Sequence, residues 1–215
     1  MDISEFKTLK DLHEYYSVNN SCKLKNIATQ PVYELESPKS GIVFIGEAPG
    51  REEDKQGKPF VGAAGRLLDE MLKDIDFTRE DVYVSNVVKY RPPSNREPTG
   101  EEKDACRRWL NAELLFIEPK VIITLGSHAL DRFSPGAKIS AVHGTAFSHP
   151  SHIPIFAMYH PAVALYNPSQ KTILKKDFKK LRQFINNDYK LGAKEIEEPE
   201  VDKEKQKAID DILNL

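Results

Sequence analysis

Gly41-Ile42-Val43-Phe44-Ile45-Gly46-Glu47-Ala48-Pro49-Gly50 is the stretch that decides the fold. Its four consecutive apolar residues are closed by glycine on both sides. They lack the alternation of a half-exposed strand and are too few for a buried helix. Such a run suits a central parallel strand covered on both faces. Similar runs recur at Val82 to Val88, Val121 to Leu125 and Ile153 to Met158. Between and after them, apolar residues return at helical spacing: Leu67, Leu68, Met71, Leu72 and Ile75; Ala105, Trp109, Ala112 and Phe116; Leu174, Phe178, Leu181 and Ile185. A further helix is expected over Glu5 to Ser17, where Phe6, Leu9, Leu12 and Tyr16 share one face. Strands alternating with helices require crossover connections, so the expected fold is α/β, a three-layer α/β/α arrangement around a central parallel sheet. Ligands of such sheets bind beyond the carboxyl ends of the strands. The loops after the four runs are therefore where chemistry is expected.

At 215 residues, 40% hydrophobic and 30% charged, the chain has the make-up of a globular protein with a real core. One domain is expected over residues 1–186. Residues 187–215 shift to Lys, Glu and Pro and read as an acidic linker ending in a short amphipathic helix. No apolar stretch approaches the ~20 residues of a membrane span, and Met1 to Lys10 carries both charge signs without the apolar centre of a secretory leader. Two cysteines, Cys22 and Cys106, are too few for a stapled secreted fold, which points to a cytoplasmic or nuclear compartment; a monomer is expected. Net charge is -2. The tail from position 186 holds nine acidic and five basic residues, leaving the body mildly positive and able to carry a locally basic face.

The first run opens into a loop, Gly46 to Gly62, that holds four glycines and two prolines in seventeen residues. That density specifies a shaped loop rather than a generic connection. It lacks the spacing and the Lys-Ser/Thr ending of a phosphate loop. The second run continues as Asn86-Val87-Val88-Lys89-Tyr90-Arg91-Pro92-Pro93-Ser94-Asn95-Arg96, and the fourth as Tyr159-His160-Pro161-Ala162. His143, His149, His152 and His160 have no compact zinc-ligand spacing.

Taken together, Gly46-Glu47-Ala48-Pro49-Gly50, Glu53-Asp54, Gly57-x-Pro59-Phe60-Val61-Gly62, Asn86 to Pro93 and His160-Pro161-Ala162 resemble the family four, iron-sulfur type uracil-DNA glycosylases, in order and at strand ends, over roughly Cys22 to Ile185. The resemblance implies a DNA glycosylase that flips uracil out of the helix and hydrolyses its N-glycosidic bond, leaving an abasic site. It makes Phe60 the ring that stacks on the extracted base, as a flat base requires. Asn86, whose amide both donates and accepts, would read O4 and N3. His160 would donate to O2 as charge moves onto the base. Glu53 would help form the wall at C5 that rejects thymine's methyl. Ala48 falls in the base pocket where related enzymes carry a water-activating aspartate, so Glu47 and then Asn95 are the candidates for positioning water. Leu165 would be the wedge that enters the duplex, with Tyr166 where relatives often carry arginine. Lys89, Arg91 and Arg96 would neutralise phosphates, as could some of Lys171, Lys175, Lys176, Lys179, Lys180 and Arg182 on the last helix.

The same resemblance implies a [4Fe-4S] cluster on four cysteines. Cys22 and Cys106 match two of those positions, whereas Asn19 and Tyr90 occupy the others. Neither is a good ligand for such a centre, so no cofactor and no metal are expected. Two alternatives stand beside uracil excision: a glycosylase for other deaminated bases, and a DNA-binding or uracil-sensing module without catalysis. In the tail, Gln206-x-x-Ile209-x-x-Ile212-Leu213 resembles a degenerate sliding-clamp box with aliphatic residues in place of the final aromatics. A short helix folded on its own domain is the alternative there.

Overall fold

The computed structural model describes residues 5–191, apart from position 39. The tail with its clamp-like box therefore lies outside the described residues. The sheet has five strands: β1 (Ile42–Gly46), β2 (Tyr83–Asn86), β3 (Val121–Leu125), β4 (Thr145–Phe147) and β5 (Ile155–Met158), in the order β2-β1-β3-β5-β4. The first three and β5 are parallel, with Phe44 paired to Val84 on one side and Ile123 on the other; β4 runs antiparallel along β5. β4 is absent from the sequence expectation because three residues on a sheet edge show no period. The Val82 to Val88 run also ends its ladder early, at Asn86. Val87 and Val88 instead donate to the carbonyls of Gly46 and Glu47, at 2.9 and 3.1 Å, and tie the two site loops together.

Alternate side chains of β1 explain the layers. Val43 and Ile45 join a core with Leu12, Trp109, Leu110 and Leu130, from α1 (Leu9–Asn19), α4 (Gly100–Ile117) and α5 (Ser127–Phe133). Ile42 and Phe44 face Leu68, Met71, Leu174, Phe178 and Leu181, from α3 (Ala63–Lys73) and α7 (Pro168–Asn186). Two short helices, α2 (Arg51–Gln56) and α6 (Ile139–Val142), complete the set among the described residues. This is the expected α/β/α arrangement. The first helix starts later than its apolar spacing suggests because Thr8 and Asp11 form a capping box, each side chain accepting from the other's backbone N–H. No helix among the described residues is long and apolar enough to cross a membrane.

From β1 the chain crosses to β2 on one side, then returns to β3 on the other. The carboxyl end of β1 is thus the point where the winding reverses, and the loops there splay apart into a crevice.

Candidate active site

That crevice is a cleft of about 690 Å³ lined by the loops after β1, β2 and β5. Its back wall is assembled by close backbone approach. A Cβ on Gly46 would stand 2.5 Å from Asn86 Oδ1 and 2.6 Å from the Phe60 ring, so only glycine lets both side chains reach the end of β1. Phe60 itself has φ of 55°, in the left-handed region that a bulky residue enters at a cost. Its carbonyl packs where a Cβ on Gly65 would lie, and its ring sits 5.5 Å from that of His160. Arg79, donating to the Pro59 carbonyl at 2.7 Å, lies over the ring at 6.0 Å. A flat apolar face is held beside an imidazole.

Asn86 is 2% exposed, and its Oδ1 has no hydrogen-bond partner among the described residues. An orphaned buried amide oxygen in a cleft wall is costly unless a ligand completes it. Glu53 accepts from the Gly62 N–H at 2.7 Å, pinning the glycine-rich loop while lining the cleft. Ala48 also lines it.

His160 caps the short turn Pro161–Ala164, its Nδ1 accepting from the Ala162 N–H at 3.1 Å. The ring proton therefore sits on Nε2. Burial pushes the pKa of His160 down to about 4, so the imidazole is neutral at pH 7. That tautomer carries its one N–H at Nε2, on a side chain that lines the cleft, a state no sequence pattern specifies.

Glu47, at the tip of β1, is half-buried; loss of water raises its pKa, while nearby His128 pulls the other way. Asn95 has φ of 55°, following Ser94 at 54°, and its Oδ1 accepts from Arg91 Nε at 2.7 Å. Arg91 thereby orients Asn95 as well as facing the cleft. Arg96 is paired with Glu102 through two contacts of 2.6 and 2.8 Å, and that guanidinium holds the Glu102 carboxyl down at about 2. Glu102 in turn closes the capping box of α4 with Thr99, so Arg96 anchors the loop to the helix start.

Lys89 departs from its expected role. It is 0% exposed and donates to Ser85 Oγ at 2.5 Å, the Asn86 carbonyl at 2.9 Å and Glu113 Oε2 at 2.5 Å. The chain curls after β2 and turns this ammonium inward to a buried carboxylate on α4, so it does not meet phosphates. It supports the Asn86 backbone from beneath. On the last helix, Lys171 pairs with Glu70 of α3 and Lys175 with Asp74, the residue that caps that helix, and Arg182 lies over Phe77 just beyond it at 4.8 Å. Those cations join α7 to α3. Leu165 is half-buried against the α3/α7 core, and Tyr166 beside it is 92% exposed at the cleft rim.

The position expected for a cluster is filled by side chains. Tyr90 is 1% exposed, stands edge-on to Trp109 at 6.1 Å and donates to the Ser17 carbonyl at 3.4 Å. Cys22 and Cys106 are both buried; the hydrogen bond that the Cys106 thiol donates to the Cys22 sulfur, with burial, raises the pKa of Cys106 and keeps it protonated. Asn19 donates to the Tyr15 carbonyl at 2.9 Å. Among the described residues no three His, Cys, Asp or Glu side chains are arranged to hold a metal. This donor set does not fit a four-thiolate cluster.

The sequence reading missed His128, the second residue of α5, although Gly126-Ser127-His128 is also a loop at a strand end. Its Nε2 lies 3.8 Å from Glu47 Oε2.

Comparison with known proteins identifies the family. Residues 33–187 match the family model of the Uracil DNA glycosylase superfamily. The chain is 41% identical to the Type-4 uracil-DNA glycosylase of Sulfurisphaera tokodaii over 202 residues, covering 87% of this chain and 92% of that protein. It is 42% identical to the Archaeoglobus fulgidus enzyme of the same name, covering 81% and 92%, and 45% identical to that of Thermotoga maritima, covering 68% and 79%.

Proposed function

This chain belongs to the uracil-DNA glycosylase superfamily and, within it, to the type-4 enzymes that excise uracil from DNA; from that premise we propose how its own residues divide the work. The orphaned Oδ1 of Asn86 carries the reading. Uracil stacked on Phe60 would give its N3–H to that oxygen and take the amide N–H on O4, completing a group that the folded protein leaves unpaired. Cytosine presents the opposite pattern at both atoms and would leave two buried clashes. Glu53 and the loop it pins close the C5 side.

As the C1′–N1 bond breaks, its electron pair moves onto the base and the sugar becomes oxocarbenium-like. The Nε2–H of neutral His160 meets the charge growing on O2, an interaction stronger in the transition state than before it. Water then adds to C1′, its proton passing to Glu47, whose carboxylate also faces the positive sugar. Asn95, held by Arg91, helps orient that water. Arg91 is the cleft cation best suited to a phosphate, and Arg96 acts as an anchor for the loop. We place this activity in a monomer working on DNA in the cytoplasm or nucleus, without a metal.

Two outcomes test the reading. Alkali-induced scission of a uracil-containing oligonucleotide is the assay. In it, Leu165→Ala should slow excision from duplex more than from single strands, since an apolar wedge fills the vacated stack only where a stack exists. Equal slowing on both substrates rules out insertion by Leu165. Purified protein should also be colourless, with iron well below one cluster per chain. Stoichiometric iron with visible charge-transfer absorption overturns the donor-set argument.

A further inference from the structure

Three charged or titratable side chains outside the chemistry described above converge on Glu47. His128 Nε2 lies 3.4 Å from Glu97 Oε1 and 3.8 Å from Glu47 Oε2, and its Nδ1 lies 3.0 Å from Lys103 Nζ. An ammonium has only protons to give, so Nδ1 accepts and the ring proton is on Nε2, the atom facing both carboxylates. Three separate elements supply these groups: α5 gives His128, the loop before α4 gives Glu97, and α4 itself gives Lys103. Their meeting is a product of the tertiary fold.

We propose that His128 is a positioning residue for Glu47, turning its carboxylate toward the attacking water, and that Lys103 and Glu97 fix the tautomer and the aim of the imidazole. The arrangement follows the general logic of a base oriented by a third group. At 3.8 Å the two side chains stand just beyond hydrogen-bond distance, and a small rotation of Glu47 makes the hydrogen bond. Glu97 is the competing acceptor, nearer to Nε2 and 77% exposed. His128 is thus shared between a surface carboxylate and the one in the cleft. The inference rests on the assignment of Glu47 to the water.

Electrostatics give the network a readout that packing alone would not. The groups acting on Glu47 are His128 and Lys103, which favour its ionised form, and Glu97, which opposes it; lost hydration raises its pKa further. Arg91, Arg96, Glu53 and His160 line the same cleft and remain unchanged in the variants below. Glu47 works as a carboxylate, so activity falls as pH drops through its pKa. Removing His128 should raise that pKa and move the acid limb of kcat to higher pH. Removing Glu97 should lower it and move the limb to lower pH.

Steady-state excision kinetics measured across pH for His128→Gln, Glu97→Gln and Lys103→Met, with Glu47→Gln as reference, test the idea. The expected result is a several-fold fall in kcat with little change in KM for His128→Gln, and limb shifts of opposite sign for His128→Gln and Glu97→Gln, with Lys103→Met following His128→Gln. In the Glu47→Gln background the His128 effect should vanish. If Glu47→Gln is nearly inactive but the limb stays put in all three other variants, His128 has no positioning role. If Glu47→Gln keeps full activity, the assignment of Glu47 itself fails. Should His128→Gln not fold, as melting would reveal, the opposed shifts of Glu97→Gln and Lys103→Met read the same network.

Discussion

Replacing His160 by alanine should lower kcat for uracil excision by about 10²- to 10³-fold while leaving DNA affinity nearly unchanged. That is the usual magnitude for one donor aimed at developing negative charge. The asymmetry follows from timing: O2 of the stacked base is a weak acceptor in the ground state and a strong one once the glycosidic electrons arrive. Geometry makes the donor reliable, since the Ala162 N–H occupies Nδ1 and leaves the proton only on Nε2. A pKa near 4 gives the sign of the pH dependence. Between neutral pH and about 5 the ring stays neutral and its contribution is constant. As pH falls through about 4 it gains a second proton, loses the Ala162 bond and misaligns. Excision rates against binding titrations, each down to pH 4, check both parts. A loss confined to affinity, or a histidine-dependent limb near pH 6.5, would contradict a neutral donor.

The parts of this site that were readable in the sequence are those set by local rules. Ile42 to Ile45 announces a strand buried on both faces because each residue is apolar, and Glu47, Phe60, Asn86 and His160 follow strand ends in short recognisable motifs. Lys89 was misread for the opposite reason. Its neighbours give no hint that it turns inward, because the carboxylate that holds it, Glu113, lies on a different element and is itself completely buried. Removing either partner would strand a charge in the core, which typically costs several kcal/mol. His128 was missed likewise: a lone histidine at a helix start acquires meaning only when Glu47, Glu97 and Lys103 are folded around it. That Asn19 and Tyr90 stand where the resemblance places cysteines was visible residue by residue, but the packing of Tyr90 against Trp109 was not. Patterns of period two and 3.6 carry the elements; contacts between distant charges carry none of that periodicity.

Asn86→Asp should collapse the discrimination between uracil and cytosine, the second large effect expected of this cleft. The wild-type amide is asymmetric, with an oxygen that can only accept and a nitrogen that can only donate. Its orphaned oxygen sits in the wall beside Gly46 and Phe60, with no room to exchange ends freely once a base is stacked. A site of that kind can separate substrates by about 10⁴- to 10⁵-fold, because the wrong base leaves buried polar groups opposed. An aspartate in the same place is desolvated, and burial favours its protonated form. The acid's two oxygens can exchange roles by moving one proton: hydroxyl to O4 and carbonyl to N3–H for uracil, or hydroxyl to N3 and carbonyl to the N4 amine for cytosine. The rate on uracil should therefore fall, and the uracil-to-cytosine ratio should drop by at least about 10²-fold. Ionisation at high pH presents two acceptors, which opposes O4 of uracil and N3 of cytosine alike, so both rates should decline as pH rises. Single-turnover excision from matched duplexes containing uracil or cytosine opposite guanine, measured between pH 5 and 9, reads both effects. A ratio that survives the substitution intact would mean that Asn86 does not read the base, and that its unpaired oxygen serves some other ligand in the cleft.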